Sequence, residues 1–192
     1  MLPVLVFHLP GLRWNWVGKL FSIAFSCLLL ARSPWLRQNV GLRWRQAAGS
    51  FPMVLICFAA CIADSIHNGL DAIPIPFSWE TLLFQAFIPS IDEELAFRGI
   101  SLALLERAFA HSPMGCRLRY GWAALVTAVL FGIGHAVAFR EGHFRFFMVP
   151  FLFTFGFASV AALVRTRSGS LLWPILCHTA INLPLYLILM IR

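Results

Sequence analysis

Stretches of roughly 20 mostly apolar residues recur along the whole chain, and a stretch of that kind crosses a bilayer as a helix. The reason is that a helix satisfies every backbone polar group without help from water. The runs lie at about residues 14–31, 50–66, 81–105, 120–139, 144–164 and 170–191. Breaks such as Arg32-Ser33-Pro34, Asn68-Gly69, His111-Ser112-Pro113 and Arg165-Thr166-Arg167-Ser168-Gly169 separate them. The fold expected is an all-α polytopic bundle of about six transmembrane helices. Composition agrees: 60% of the 192 residues are hydrophobic and only 12% are charged, where a soluble domain carries about a quarter charged residues.

The chain has a net charge of +7. Its bases fall in short clusters between apolar runs, as juxtamembrane arginines do, so a nucleic-acid partner is not expected and the lipid bilayer is. With the first loop inside, Arg32, Arg37, Arg43, Arg45, Arg107, Arg117, Arg119, Arg165 and Arg167 face the cytoplasm. Arg13, Lys19, Arg140, Arg145 and Arg192 face outward, and the bias places both termini outside. Residues 1–10, with Pro3 and Pro10 and no basic head, are read as an interfacial lead-in with no secretory signal to remove. The tryptophans at 14, 16, 35, 44, 79, 122 and 173 mostly flank the spans, as an interfacial belt would. The five cysteines show no CxxC pair, and are read as small hydrophobes within the apolar runs, Cys116 apart.

Against this background Asp92, Glu93, Glu94 and Arg98 stand out inside the third run. Each ionised side chain at mid-bilayer costs roughly 2.5–3.5 kcal/mol on insertion scales, so such a cluster needs internal partners, water or a function. Pro89 can open a helix, and Ser90 with Glu93 has the spacing of a capping box, so a helix restarting there is one reading. On that reading the acids simply stabilise a helix amino terminus. Helical geometry puts Glu94 and Arg98 one turn apart on a shared face and turns Glu93 toward another helix.

Two later spans supply polar partners. Phe131-Gly132-Ile133-Gly134-His135 sets a histidine in the fourth span, with glycines that allow close helix approach. His178-Thr179-Ala180-Ile181-Asn182 sets a histidine and an asparagine on one face of the sixth. Each histidine alone reads as readily as an interhelical hydrogen-bonder. Their convergence with a carboxylate would share one desolvation cost in one polar pocket.

In order, these residues fit EExxxR, FxxxH and HxxxN. The chain thereby resembles the CAAX protease and bacteriocin-processing (CPBP, or Abi) family of glutamic-type intramembrane endopeptidases. The resemblance covers Glu93 to Asn182, about half the chain. It implies that Glu93 activates a water with help from His135, that His178 and Asn182 donate hydrogen bonds to the oxyanion, and that Glu94 and Arg98 brace the site. It implies no cofactor and no metal. The substrate would be a membrane-associated protein or peptide, for example one cleaved at a C-terminal tail. Residues 1–78 would form amino-terminal spans and 79–192 the catalytic core. The chain is short for the eukaryotic prenyl-processing branch, so a prokaryotic inner membrane is expected. Two rival readings stand beside this one. Glu93, His135 and His178 could hold a catalytic zinc, although HExxH is absent. The cluster could also be a proton pathway, or part of an immunity-type scaffold. Asp64, near the end of the second span, has no acidic partner to make an aspartyl dyad. His143 and Arg145 are read as solvated loop residues.

Overall fold

A computed structural model describes residues 11–109 and 121–192. The lead-in at residues 1–10 and the His111-Ser112-Pro113 break, with Cys116, Arg117 and Arg119, lie outside the described residues. The chain runs α1 (Trp16–Arg32), α2 (Pro34–Asn39), α3 (Phe51–Asp71) and α4 (Trp79–Glu94). A π-helical stretch, Leu95–Ser101, leads directly into α5 (Leu102–Ala108). Then follow α6 (Trp122–Ala136), a hairpin of β1 (Val137–Arg140) and β2 (His143–Phe146), α7 (Met148–Ser168) and α8 (Leu172–Ile191). The all-α bundle is as expected, and three of the six expected spans are helices long and apolar enough to cross a membrane.

The molecule is inside-out relative to a soluble domain. Phe21, Phe25, Ile56, Val149 and Leu152 are exposed, while Gln85, Ser90, Asp92, Glu94, Arg98 and His178 are buried. Three helices, α3, α7 and α8, are long and apolar enough to cross a membrane, with at most 33% of their apolar windows buried within the protein. Most of their surface is therefore left for lipid. α6 is apolar but stops at 15 residues, about 22 Å at 1.5 Å per residue against roughly 30 Å of hydrocarbon. It stops because the chain turns extended at Val137. The fourth and fifth runs are joined by an antiparallel hairpin, where a simple solvated loop was expected. Glu141 (φ 53°) and Gly142 (φ 85°) form its two-residue turn, both left-handed as such a tight turn requires. His143 is exposed on β2, and Arg145 pairs with Glu141.

The helix restart expected at Pro89 does not occur. α4 runs through Pro89, and Ser90 is buried inside it with a hydroxyl that finds no hydrogen-bond partner among the described residues. The true cap is Ser78, whose hydroxyl accepts from the amide of Thr81 at 3.2 Å. A proline within a helix loosens the preceding turn. There the Thr179 hydroxyl of α8 donates to the Ala86 carbonyl at 3.1 Å. The irregularity thus ties α4 to α8, and the π-helical stretch follows within two turns. Such local widenings of a helix recur at functional sites.

Packing fixes the rods around that stretch. Leu30, Leu36, Val40, Leu95, Ile100 and Leu171 form one buried cluster; Phe131 with Ala128 and Ala158 forms another, joining α6 to α7. Gly132 permits that approach, since a Cβ there would lie 3.0 Å from the Phe151 ring. Gly134 faces open space and serves no such contact, contrary to the sequence reading. Cys61 and Cys177 sit in the α3–α8 seam with Ala180 as free thiols, and Cys27 is exposed. Gly99 is the tightest point of the π-helical stretch: a Cβ would lie 2.6 Å from Cγ2 of the fully buried Val40. Gly99→Ala should therefore destabilise the protein by about 1–3 kcal/mol through overpacking. Thermal unfolding in detergent would register the loss, and adding Val40→Ala should return part of it.

Candidate active site

The order in which helices bring charge to the centre begins with α1. Asn15 caps it, its Oδ1 accepting from the amide of Gly18 at 2.9 Å. Just before and inside this first turn, two tryptophans dock the helix on α4. Trp14 Nε1 donates to Thr81 Oγ1 and Trp16 Nε1 to Glu80 Oε1, each at 3.0 Å. The amides of Arg13 and Trp14 also donate to Glu80, and Trp14 stacks on Phe84 at 5.4 Å. These two tryptophans are thus structural clamps as well as flanking aromatics. Lys19, less than one turn later, is thereby aimed at the acidic cluster.

Lys19 Nζ lies 2.6 Å from Glu93 Oε1 and 2.8 Å from Asp92 Oδ2. The loop-charge pattern places it among the outward charges; in the structure it is a partner of the buried acids. It is also the chain's single lysine among 15 Lys and Arg residues. A lone lysine inside an apolar run was the available signal, and a short ammonium between two carboxylates is the chemistry that accounts for it.

The second charge group lies on α4 and the π-helical stretch. Glu94 is fully buried and Arg98 is 1% exposed. Arg98 Nη1 donates to Glu94 Oε1 at 3.1 Å, and His178 Nδ1 donates to the same oxygen at 2.9 Å. The Glu94–Arg98 pairing read from helical spacing is therefore present, and His178 joins it from α8. The guanidinium stacks over Phe131 at 4.2 Å, a desolvated cation–π contact. Phe131 thus has two jobs in FxxxH. Its ring carries Arg98, and its carbonyl accepts from His135 Nδ1 at 2.8 Å.

With both Nδ1 atoms engaged as donors, the two imidazoles present Nε2 to the centre. Both Nε2 atoms address Glu93 Oε2, His135 from 3.5 Å and His178 from 4.0 Å. Oε2 is buried and has no direct hydrogen-bond partner among the described residues. So Glu93 gives one oxygen to Lys19 and turns the other toward two ring nitrogens, at separations suited to a small bridging group. Glu93, Glu94, Arg98, His135 and His178 converge on one pocket. Asn182 follows His178 by one turn on α8, half-buried, and its side chain makes no hydrogen bond among the described residues. Nor does any trio of His, Cys, Asp or Glu side chains among the described residues have the arrangement of a metal site. The ammonium already on Glu93 opposes a divalent cation there by simple repulsion.

The fold is an inside-out helical bundle that gathers carboxylates and imidazoles between its helices. Residues 75–184, more than half the chain, match the family described as Rce1-like, type II CAAX prenyl endopeptidase, and the chain belongs to that family. It is accordingly a CAAX-type membrane protease. No curated protein and no solved structure matches the chain. The matched residues include α4, α6, α7 and the part of α8 that bears His178 and Asn182; α1, with Lys19, and α3 lie outside them.

A buried pair is most costly when only one partner is removed, about 3–5 kcal/mol. Arg98→Met should therefore unfold far more readily than the wild type in thermal or denaturant melts. The double variant Glu94→Gln/Arg98→Met should be the more stable of the two, because it leaves no orphaned charge.

Proposed function

We propose that the protein is an intramembrane endopeptidase that hydrolyses a peptide bond of a membrane-associated protein or peptide with water activated by Glu93. The observation that carries this reading is the approach of two imidazole Nε2 atoms to the free oxygen of Glu93. A water bridging Glu93 Oε2 and His135 Nε2 donates one hydrogen to each and points a lone pair at the substrate carbonyl. As its oxygen attacks, Glu93 takes a proton, and later delivers it to the leaving amine. The products are a carboxylate and an amine, and nothing beyond water is consumed.

His178 suits the oxyanion role through its neighbours. Glu94 accepts its Nδ1–H, which orients the ring and stabilises an imidazolium, as the buried carboxylate of a catalytic triad does. The cluster holds three carboxylates (Asp92, Glu93, Glu94) and two permanent cations (Lys19, Arg98), and the proposed step uses His178 with a hydrogen on each ring nitrogen. Nε2–H then faces the developing oxyanion, with the Asn182 amide one turn away as second donor. Each such donor contributes on the order of 3 kcal/mol in well-placed sites. Lys19 holds one oxygen of Glu93 and so fixes the orientation of its carboxylate, and the amino-terminal region of residues 1–78 thereby serves the chemistry of the 79–192 core. The glutamic mechanism asks for no cofactor, and a prokaryotic inner membrane remains the location proposed. A C-terminal tail is the substrate segment that the family description favours.

Glu93→Gln keeps the shape and removes the base, so cleavage should fall by at least a hundredfold with the melting curve unchanged. Comparing membrane proteomes of wild type and Glu93→Gln would show which cleavage product disappears; persistence of every product would overturn the mechanism. Lys19 gives an independent check. Lys19→Met leaves Asp92 and Glu93 facing each other without a cation and should lower kcat about a hundredfold, whereas Lys19→Met/Asp92→Asn should recover part of it. Strictly additive losses in that cycle would show that the three residues are not coupled.

A further inference from the structure

Asp64 is a carboxylate inside α3, away from the ends of that helix, that the mechanism above leaves unused. It sits on α3, seven residues before that helix ends at Asp71, about 10 Å below the end at 1.5 Å per residue. It lines a cavity of about 450 Å³ together with Ser65, Asn68, Val149, Phe153 and His135. His135 is the residue whose Nε2 faces Glu93, so one wall of this cavity is a residue of the proposed catalytic site. A second cavity of about 460 Å³ shares Asp64, Phe153 and Ile181 with the first and continues along α3 and α7.

The polar groups beside Asp64 are already occupied. Ser65 Oγ donates to the Ile181 carbonyl at 2.6 Å, and Asn68 Nδ2 donates to the backbone carbonyl of Asp64, not to its carboxylate, at 2.9 Å. Asp64 has no ion-pair partner among the described residues, and neither cavity is lined by Lys or Arg. The other intramembrane acids have cationic partners within the protein: Asp92 and Glu93 share Lys19, and Glu94 has Arg98. A carboxylate held at this depth, without a cation of its own, in a cavity that reaches the catalytic histidine, is matched by a cation from outside the protein.

We propose that Asp64 forms an anionic subsite that binds a basic side chain of the substrate, a lysine or arginine close to the scissile bond. The walls of Val149, Phe153 and Leu185 would take the methylene stem while the charged head reaches Asp64. α3 lies outside the residues that match the family, so this selectivity is supplied by the amino-terminal spans and not by the matched core. The proposal rests on the protease reading for its consequence, but the binding it describes does not require turnover.

The test uses the full chain in zwitterionic phospholipid vesicles. Membrane-anchored peptides are made as sets differing at one position, which carries Lys, norleucine or Glu, and that position is scanned across the cleaved bond. At one position the wild type should prefer Lys over norleucine by about tenfold in kcat/KM, the scale of one charge-assisted contact. Asp64→Asn should bring that ratio close to one, and Asp64→Lys should turn the preference toward Glu. A wild-type ratio near one at every position, or a ratio that survives Asp64→Asn, would overturn the proposal. Equilibrium binding of the same peptides to Glu93→Gln separates the two readings. Lys selectivity that vanishes in Glu93→Gln/Asp64→Asn upholds the subsite even if no peptide is cleaved. Equal binding of Lys and norleucine peptides to Glu93→Gln overturns it.

Discussion

Placing several charges in a low-dielectric interior, and holding them there, is the constraint on which this structure turns. Glu94 and Arg98 are almost wholly removed from solvent, and neither would be stable there alone. Each therefore has more than one partner. The carboxylate accepts from both a guanidinium and an imidazole, and the guanidinium lies on an aromatic face. Those partners come from the π-helical stretch, α6 and α8, so the electrostatic requirement is also what ties the helices together.

The backbone irregularities serve the same end. Pro89 interrupts the hydrogen-bond ladder of α4, and Thr179 covers the Ala86 carbonyl in the turn before it. The widened turn from Leu95 to Ser101 brings Gly99 against Val40 and sets Arg98 beneath Phe131. A regular helix through the same residues would keep the Glu94–Arg98 spacing. The π-helical stretch is where the observed chain seats the guanidinium in a closed aromatic site.

Two adjacent glutamates are placed in different surroundings by their neighbours. Glu94 is locked from both sides and orients His178. Glu93 has one oxygen fixed by Lys19 and one turned to His135 and His178. One dipeptide can therefore hold two carboxylates in different surroundings, since successive helical residues point about 100° apart, and the proposed mechanism uses that difference. The amino-terminal helices contribute through single charged residues, Lys19 against Glu93 and Asp64 at the cavity that His135 lines.

The helical fold, the Glu94–Arg98 pair and the residues of the pocket could be read from the chain because they depend on local quantities. These are the length of apolar runs, the i,i+4 period and the high cost of charge in lipid, which makes any buried ionisable residue conspicuous. The roles of Lys19 and Phe131 could not be read. Lys19 is more than seventy residues from Glu93, and its partner depends on how Trp14 and Trp16 dock α1. The hairpin after α6, the continuity of α4 through Pro89 and the open side of Gly134 were likewise missed. Each depends on which neighbour fills the adjacent space, and no period in the sequence encodes that. Local spacing names the groups; the packing of distant helices chooses which of them meet, because charge in a membrane is stable only where a partner from elsewhere arrives.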